Sequence, residues 1–260
     1  MTTISEHTTK YWQYQYDVAK DYMLPLLQGW GVQLQGADLL DVGCGTGGGT
    51  CATCDAGALC VGFDINERLI DEALVLQNNR TIHFESGNMY EQVVPFGGRK
   101  FDLVVLHDVF EHLDDKDATM QKLASYLKPT GKILITFPPY FSAYGAHQQL
   151  LRAPFARLPF FHLLPFAIST VLPRLKGEHP YFVEEVTKLG RLKMGMKEFE
   201  RIAARNHLTI DGKQAYLIGP NHIRFGLKPI AAGPVAEIPL LGELLSSGVV
   251  YLLSPTRNTR

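Results

Sequence analysis

The stretch Leu39-Leu40-Asp41-Val42-Gly43-Cys44-Gly45-Thr46-Gly47-Gly48-Gly49-Thr50 joins an apolar run to a turn in which five of seven residues are glycine. The run has the pattern of a strand buried on both faces of a parallel sheet. Glycine admits positive φ and lets a ligand lie against the main chain, and the N–H groups that open the following helix face that ligand. The stretch is therefore expected to be a nucleotide-type cofactor site between a strand and a helix.

Gly43-x-Gly45-x-x-Gly48 also matches the dinucleotide fingerprint, so the glycines alone leave an NAD-dependent oxidoreductase open. Asp41 weighs against it. A carboxylate two residues before the first glycine repels a pyrophosphate and suits a ligand that carries positive charge. S-Adenosylmethionine has an ammonium and a sulfonium and no phosphate. A second apolar run, Ala58-Leu59-Cys60-Val61-Gly62-Phe63, ends in Asp64, 23 residues after Asp41. That acid is placed to accept both ribose hydroxyls.

With these motifs the chain resembles the class I S-adenosylmethionine-dependent methyltransferases. The resemblance spans Leu39 to Phe137. It is carried by Leu-Asp-Val-Gly-Cys-Gly-Thr-Gly, then Gly62-Phe63-Asp64-Ile65, then Phe101-Asp102-Leu103-Val104-Val105, then Leu127-Lys128-Pro129-Thr130-Gly131-Lys132. It implies an α/β fold: a Rossmann-like, seven-stranded, mostly parallel sheet with helices on both faces and an inserted helical cap. It also implies S-adenosyl-L-methionine as cofactor, with Asp41, Gly43, Gly45, Asp64, Ile65 and His107 around it. Where the family places an acid on the adenine amino group this chain has Asn88, and Met89 is positioned to pack on the ring. An N-terminal helix closes over the cofactor in that family, which points to Tyr11 or Tyr16 as a further contact.

The 260 residues, 46% of them hydrophobic, are enough for one α/β core with an insertion. No apolar run of about 18 residues is present, nor a basic, apolar leader with a small-residue cleavage site, so neither a membrane span nor export is expected. A cytoplasmic enzyme fits. Cys44, Cys51, Cys54 and Cys60 all fall in the first βαβ unit. Cys51-x-x-Cys54 has redox or zinc spacing but no second pair, and packing thiols are the simpler reading. Between Arg152 and Lys228, 13 Lys and Arg face 6 Asp and Glu, a local +7 that leaves −8 elsewhere against an overall −1. The segment is read as a solvated helical surface, with an anionic substrate or membrane face as the sharper alternative.

The coarse organisation follows from periodicity. Residues 1–137 form the cofactor-binding core with an N-terminal lid helix that Pro25 kinks or divides. Asn66 is expected to cap a helix, Asp114 or Asp115 to start another, and Lys128-Pro-Thr-Gly to end it in a turn before a strand from Lys132. Residues 138–190, broken by repeated prolines, form the inserted cap. Residues 191–260 return to the core with a helix around Phe199, a strand from Leu208 to Ile218 and an antiparallel edge strand near Val249–Leu253.

Methyl transfer from a sulfonium is an in-line displacement in which positioning matters most, and a base is needed only if the acceptor loses a proton. Candidates cluster after the fourth strand in His107-Asp108-Val109-Phe110-Glu111-His112. Three readings stand beside one another: a local polar wall, proton acceptance by His112 with His147 as the rival, or a divalent metal. The last rests on resemblance to the acid-x-x-Glu-His motif of ubiquinone-biosynthesis and small-RNA 2′-O-methyltransferases, with Asp108 in place of the first glutamate. The expected function is methyl transfer to a small, lipophilic acceptor, at oxygen. The rivals are the oxidoreductase, a nucleic-acid 2′-O-methyltransferase and a non-catalytic cofactor-binding partner protein. The motifs specify no oligomeric state.

Overall fold

The computed structural model describes residues 4–91, 95–165 and 167–256. In chain order its elements are α1 (Glu6–Val18), α2 (Leu24–Gly29), β1 (Asp38–Val42), α3 (Gly48–Asp55), β2 (Leu59–Asp64), α4 (Glu67–Leu76), β3 (His83–Ser86), β4 (Phe101–His107), α5 (Lys116–Tyr126), β5 (Leu127–Phe137), α6 (Leu172–Leu175), α7 (Pro180–Leu192), α8 (Met196–Arg205), β6 (Leu208–Ile218), β7 (Ile230–Ala231), α9 (Leu241–Leu245) and β8 (Gly248–Pro255). A π-helical turn, Ala19–Met23, links α1 to α2, and Pro25 stands in the first turn of α2, where its missing N–H costs nothing. Ser5, Asn66 and Asp115 cap α1, α4 and α5 through side-chain oxygens that accept backbone N–H bonds.

The sheet runs β3-β2-β1-β4-β5-β8-β6-β7. Strands β1 to β5 are mutually parallel, and β8 runs antiparallel to both β5 and β6. Two expectations are corrected here. The sheet has eight strands rather than seven, because the two-residue β7 adds an edge. The reversed strand β8 lies inside the sheet, not at its margin. Its Val249–Leu253 run is buried on both faces, whereas in β6 only Leu208 and Ala215 are buried, which suits a place farther out. Lys128-Pro129-Thr130-Gly131 does not simply end α5. It loops out as a register jump within β5, where Phe101 pairs with Leu127 but Leu103 pairs with Lys132.

Alternation along the strands divides the core into two layers. Leu39, Leu103, Val105, Leu134, Val250 and Leu252 pack with Trp12, Val18, Leu27, Cys51, Ile70 and Ala73 of α1 to α4. Their neighbours Leu40, Val104, Leu106, Ile133, Ile135 and Tyr251 face Met120, Leu123, Phe199 and Ile202 of α5 and α8. Cys44, Cys51 and Cys60 are buried thiols, and burial pushes Cys51 and Cys60 up to about 11 and about 12.

Between β5 and α8 the chain forms short turns and α7 around a separate small core that includes Tyr140, Leu151, Phe161, Val183, Val186 and Leu189. The Glu178 carboxylate ties this segment together by accepting the backbone N–H groups of Arg152 and Ala153. Among the described residues, no helix is long and apolar enough to cross a membrane.

Candidate functional site

The glycine turn is held open by its own backbone. Gly43 and Cys44 both donate N–H bonds to the Phe63 carbonyl, at 2.7 and 3.1 Å, so the ends of β1 and β2 are pinned together. Gly43 and Gly47 sit at φ +78° and +80°, a region that β-carbon-bearing residues avoid. Gly48 is needed for a different reason. A Cβ there would lie 2.3 Å from the carbonyl oxygen of Trp12, so only glycine lets α1 lie directly on the start of α3.

Asp64 is buried, and its two oxygens accept the N–H groups of Gly45 and Asn66, each at 2.9 Å. Each oxygen keeps lone-pair capacity for a further donor. Asp41 is also buried and accepts the Thr50 hydroxyl at 2.6 Å; burial pushes its carboxyl up to about 6. It lines a cavity whose other walls include Gln15, Ala19, Met23, Gly43, Gly49 and His107. A second cavity shares Met23 and His107 and extends to Asp108, Thr136 and Asn221.

Tyr16 does not line the Asp41 cavity; its hydroxyl donates to Asp55 at 2.8 Å and its ring stacks on Trp12. Its neighbour Gln15 takes the wall position and accepts the Thr46 hydroxyl at 3.1 Å. One helical step rotates a side chain by about 100°, and the aromatic-rich sequence gave no signal for which residue faces inward. Ile65 is exposed just beyond Asp64. Asn88 spends its amide on the local turn, accepting the Tyr90 N–H and donating to Glu91, while Met89 is buried in the core with Phe63 and Phe101.

After β4 the chain turns sharply. Asp108 adopts φ +54°, and its carboxylate accepts the Thr136 hydroxyl at 2.8 Å and the Asn221 amide. Val109 then packs on the glycine loop so closely that a Cβ on Gly43 would sit 2.3 Å from its Cγ2. The buried Lys116 ammonium donates to the carbonyls of Phe110 and Glu111, which fixes the turn Phe110–His112. Glu111 is only 2% exposed, and neither of its carboxylate oxygens has a hydrogen-bond partner. Burial, with Asp108 nearby, pushes its carboxyl well above the usual range.

His112 and His147 converge on that carboxylate. His112 Nε2 is 3.5 Å and His147 Nε2 3.9 Å from Glu111 Oε1, and the two rings lie 5.4 Å apart. Burial pulls His147 down to about 4, which leaves it neutral near pH 7 with an unpartnered, buried Nε2. On its other side, His112 Nδ1 is 2.5 Å from Glu185 Oε1 of α7, a residue that no sequence motif marked. One donor atom from each of Glu111, His112 and His147 falls within 4.8 Å of the other two, and the orphaned, buried atoms are of the kind a divalent cation satisfies. The residues present therefore fit such an ion. Asp108, the first acid of the motif, spends its oxygens elsewhere.

A parallel sheet with a glycine turn after its first strand, acids ending the first and second strands and a polar cluster after the fourth defines the class I S-adenosylmethionine-dependent methyltransferases. The chain belongs to the methyltransferase-domain family, whose profile matches residues 11–176. It is 30% identical over 116 residues to a ubiquinone biosynthesis O-methyltransferase of Coxiella burnetii, covering 44% of this chain and 49% of that protein. Over 104 residues it is 33% identical to phosphoethanolamine N-methyltransferase 3 of Arabidopsis thaliana, covering 39% of this chain and 21% of that one. The chain thus spans about half the length, or less, of these curated relatives. Magnesium protoporphyrin IX methyltransferase from Synechocystis PCC 6803, crystallised with SAH bound, shares the fold at a TM-score of 0.55 and 17% identity, over 98% of this chain and 90% of that one.

If Asp41 faces the cofactor ammonium, as the sequence-based expectation has it, its burial would make cofactor affinity depend on pH. A ligand ammonium beside it favours the carboxylate, so binding is weaker wherever Asp41 is protonated in the free protein. With that group at about 6, affinity for S-adenosylhomocysteine is expected to be level above pH 7 and to fall by up to about tenfold per pH unit below pH 6. Calorimetry from pH 5 to 8 checks this, and Asp41→Asn should flatten the profile. An unchanged slope in that variant would remove Asp41 from the cofactor contact.

Proposed function

We propose that this chain transfers the methyl group of S-adenosylmethionine to a hydroxyl of a small, lipophilic acceptor. The observation that carries the reading is the packing of Val109 on Gly43, which ties the turn bearing Glu111 and His112 to the loop that Asp41 and Asp64 flank. Asp64 would take the ribose hydroxyls, Asp41 the positively charged end, and His107, which both cavities share, would stand between cofactor and acceptor. Gln15, Ile65, Asn88 and Met89 would complete the cofactor surroundings. Displacement at a sulfonium needs the acceptor oxygen about 3 Å from the methyl carbon and in line with the breaking bond, so a rigid loop and turn in contact suit it.

The acceptor hydroxyl would meet the Glu111–His112–His147 cluster, whose unpartnered carboxylate and neutral imidazole can accept its proton or hold a cation that acidifies it. A cavity beside α7 mixes apolar walls, Tyr140, Phe141 and Leu163 among them, with His162, Arg191 and Lys193, and would suit an acceptor with an apolar and a polar part. A nucleic-acid acceptor is disfavoured because several cations of the +7 segment are already paired. Arg205 is bonded to Asp117, Lys213 to Glu200 and Glu237, and Lys188 lies near Asp114. The four free thiols suit a cytoplasmic setting.

Calorimetric titration with S-adenosylhomocysteine, followed by transfer of labelled methyl to a panel of hydroxylated aromatic and aliphatic acceptors, tests the reading. Micromolar cofactor binding and label in an ether product are expected. Binding of NAD in place of S-adenosylhomocysteine would replace it with the oxidoreductase, and binding without any transfer would favour the partner-protein reading.

A further inference from the structure

We infer that the cavity beside α7 is a binding site for a hydroxylated amphiphilic anion, whose hydroxyl meets His162 on the buried side and whose carboxylate or phosphate meets Arg191 and Lys193 on the open side. The inference names a ligand class for that cavity and rests on the methyl-transfer reading only where this ligand is taken as the acceptor. The site itself stands on the residues that line it.

The cavity measures about 440 Å³, the size of a small-molecule pocket, and none of its lining residues lines the cavities at Asp41 and Asp108. On its buried side stands His162, 4% exposed. Its Nε2 lies 2.6 Å from the Tyr140 carbonyl oxygen, which can only accept, so Nε2 carries the proton. Burial pulls the imidazole below its usual range and keeps it neutral near pH 7. Nδ1 is then a bare acceptor, buried and without a hydrogen-bond partner. Buried acceptors of this kind are ordinarily satisfied, and a ligand hydroxyl is a neutral donor that does so without bringing a charge into the buried side.

The other side is open and basic. Arg191 and Lys193, in the last turn of α7 and just past it, are exposed, and their side chains form no ion pair or hydrogen bond among the described residues. Among the described residues no Asp or Glu lines the cavity, and the chain contains none from Ala118 to Gly177. A cationic ligand finds no counter-charge on these walls, whereas an anion meets two. Tyr140, Leu163 and Val186 supply apolar walls between the two sides. Thr187 adds little polarity, because its hydroxyl donates to the Val183 carbonyl at 2.6 Å. Gly190 keeps the space clear: a Cβ there would meet only the Tyr140 hydroxyl, at 3.5 Å, so a larger side chain would enter the cavity without striking its wall.

The test is calorimetric titration of the full chain with terminally hydroxylated decanoate, below its micelle-forming concentration. Plain decanoate and the diol of the same length serve as controls. One hydroxy acid per chain is expected. Decanoate, which leaves His162 Nδ1 without a donor, and the diol, which lacks the anion, should each bind about tenfold more weakly. The phosphate monoester of the diol, set beside the hydroxy acid, identifies which anion the two cations prefer. Gly190→Leu should abolish binding while the melting temperature holds or rises, since leucine is the better helix former. Arg191→Gln with Lys193→Gln should erase the preference for the hydroxy acid over the diol. No binding by the wild type, equal affinity for all of these probes, or binding that survives Gly190→Leu overturns the site. S-Adenosylhomocysteine is titrated into the same samples: cofactor bound without the amphiphile sinks this inference alone, and amphiphile bound without cofactor sinks the methyl-transfer reading and leaves the site standing.

Discussion

Asp64→Ala is expected to lower the affinity for S-adenosylhomocysteine by roughly two to four orders of magnitude. The Asp64 carboxylate is buried at the end of β2 and held by the N–H groups of Gly45 and Asn66, so it meets a ligand already oriented. Two ribose hydroxyls donating to it would each contribute about 1.5–3 kcal/mol, as hydrogen bonds to charged groups do. Their sum, at about 1.4 kcal/mol per tenfold, gives the stated range. Alanine also leaves the Gly45 N–H without its acceptor, which loosens the loop. Calorimetry measures the loss, with circular dichroism as the check on folding. An affinity within fivefold of the wild type would mean that the nucleoside lies elsewhere and would undo the assignment of the β2 acid.

The second large effect belongs to the acceptor side. Glu111→Gln, His112→Ala and His147→Ala should each lower the rate of methyl transfer by about 10²- to 10⁴-fold, the usual contribution of a group that manages the acceptor proton. None of the three lines the cavity around Asp41, so their affinity for S-adenosylhomocysteine should stay within about threefold of the wild type. That split is the informative part. A variant that loses both rate and cofactor affinity has lost the packing of Val109 on the loop, not chemistry. Single-turnover rates with the acceptor found in the screen, set beside cofactor titrations on the same variants, separate the cases. An unchanged rate in all three would reduce the cluster to a structural wall.

Much of the architecture was legible because it is local. The apolar runs that became β1, β2 and β4, the Asn66 cap and the stretch Leu208–Ile218 each carry their signal within a few residues. Asp41, the glycines and Asp64 follow from the same logic, since a loop that must approach a ligand has to contain glycine and the acids end the strands that flank it. The strand count failed at β7, two residues long and so too short to show a period. The place of β8 failed because an apolar run says that a strand is buried and not between which neighbours.

By itself, then, the sequence determined the glycine turn, the acids beside it and the alternation of strands and helices. Only the tertiary structure decided that Gln15 and not Tyr16 faces the Asp41 cavity, that Asp108 turns to Asn221, and that Glu185 of α7 meets His112. Periodicity reports the face on which a side chain lies relative to its own element. Which group it meets from a distant part of the chain is set by how whole elements pack, and that leaves no pattern in the residues nearby.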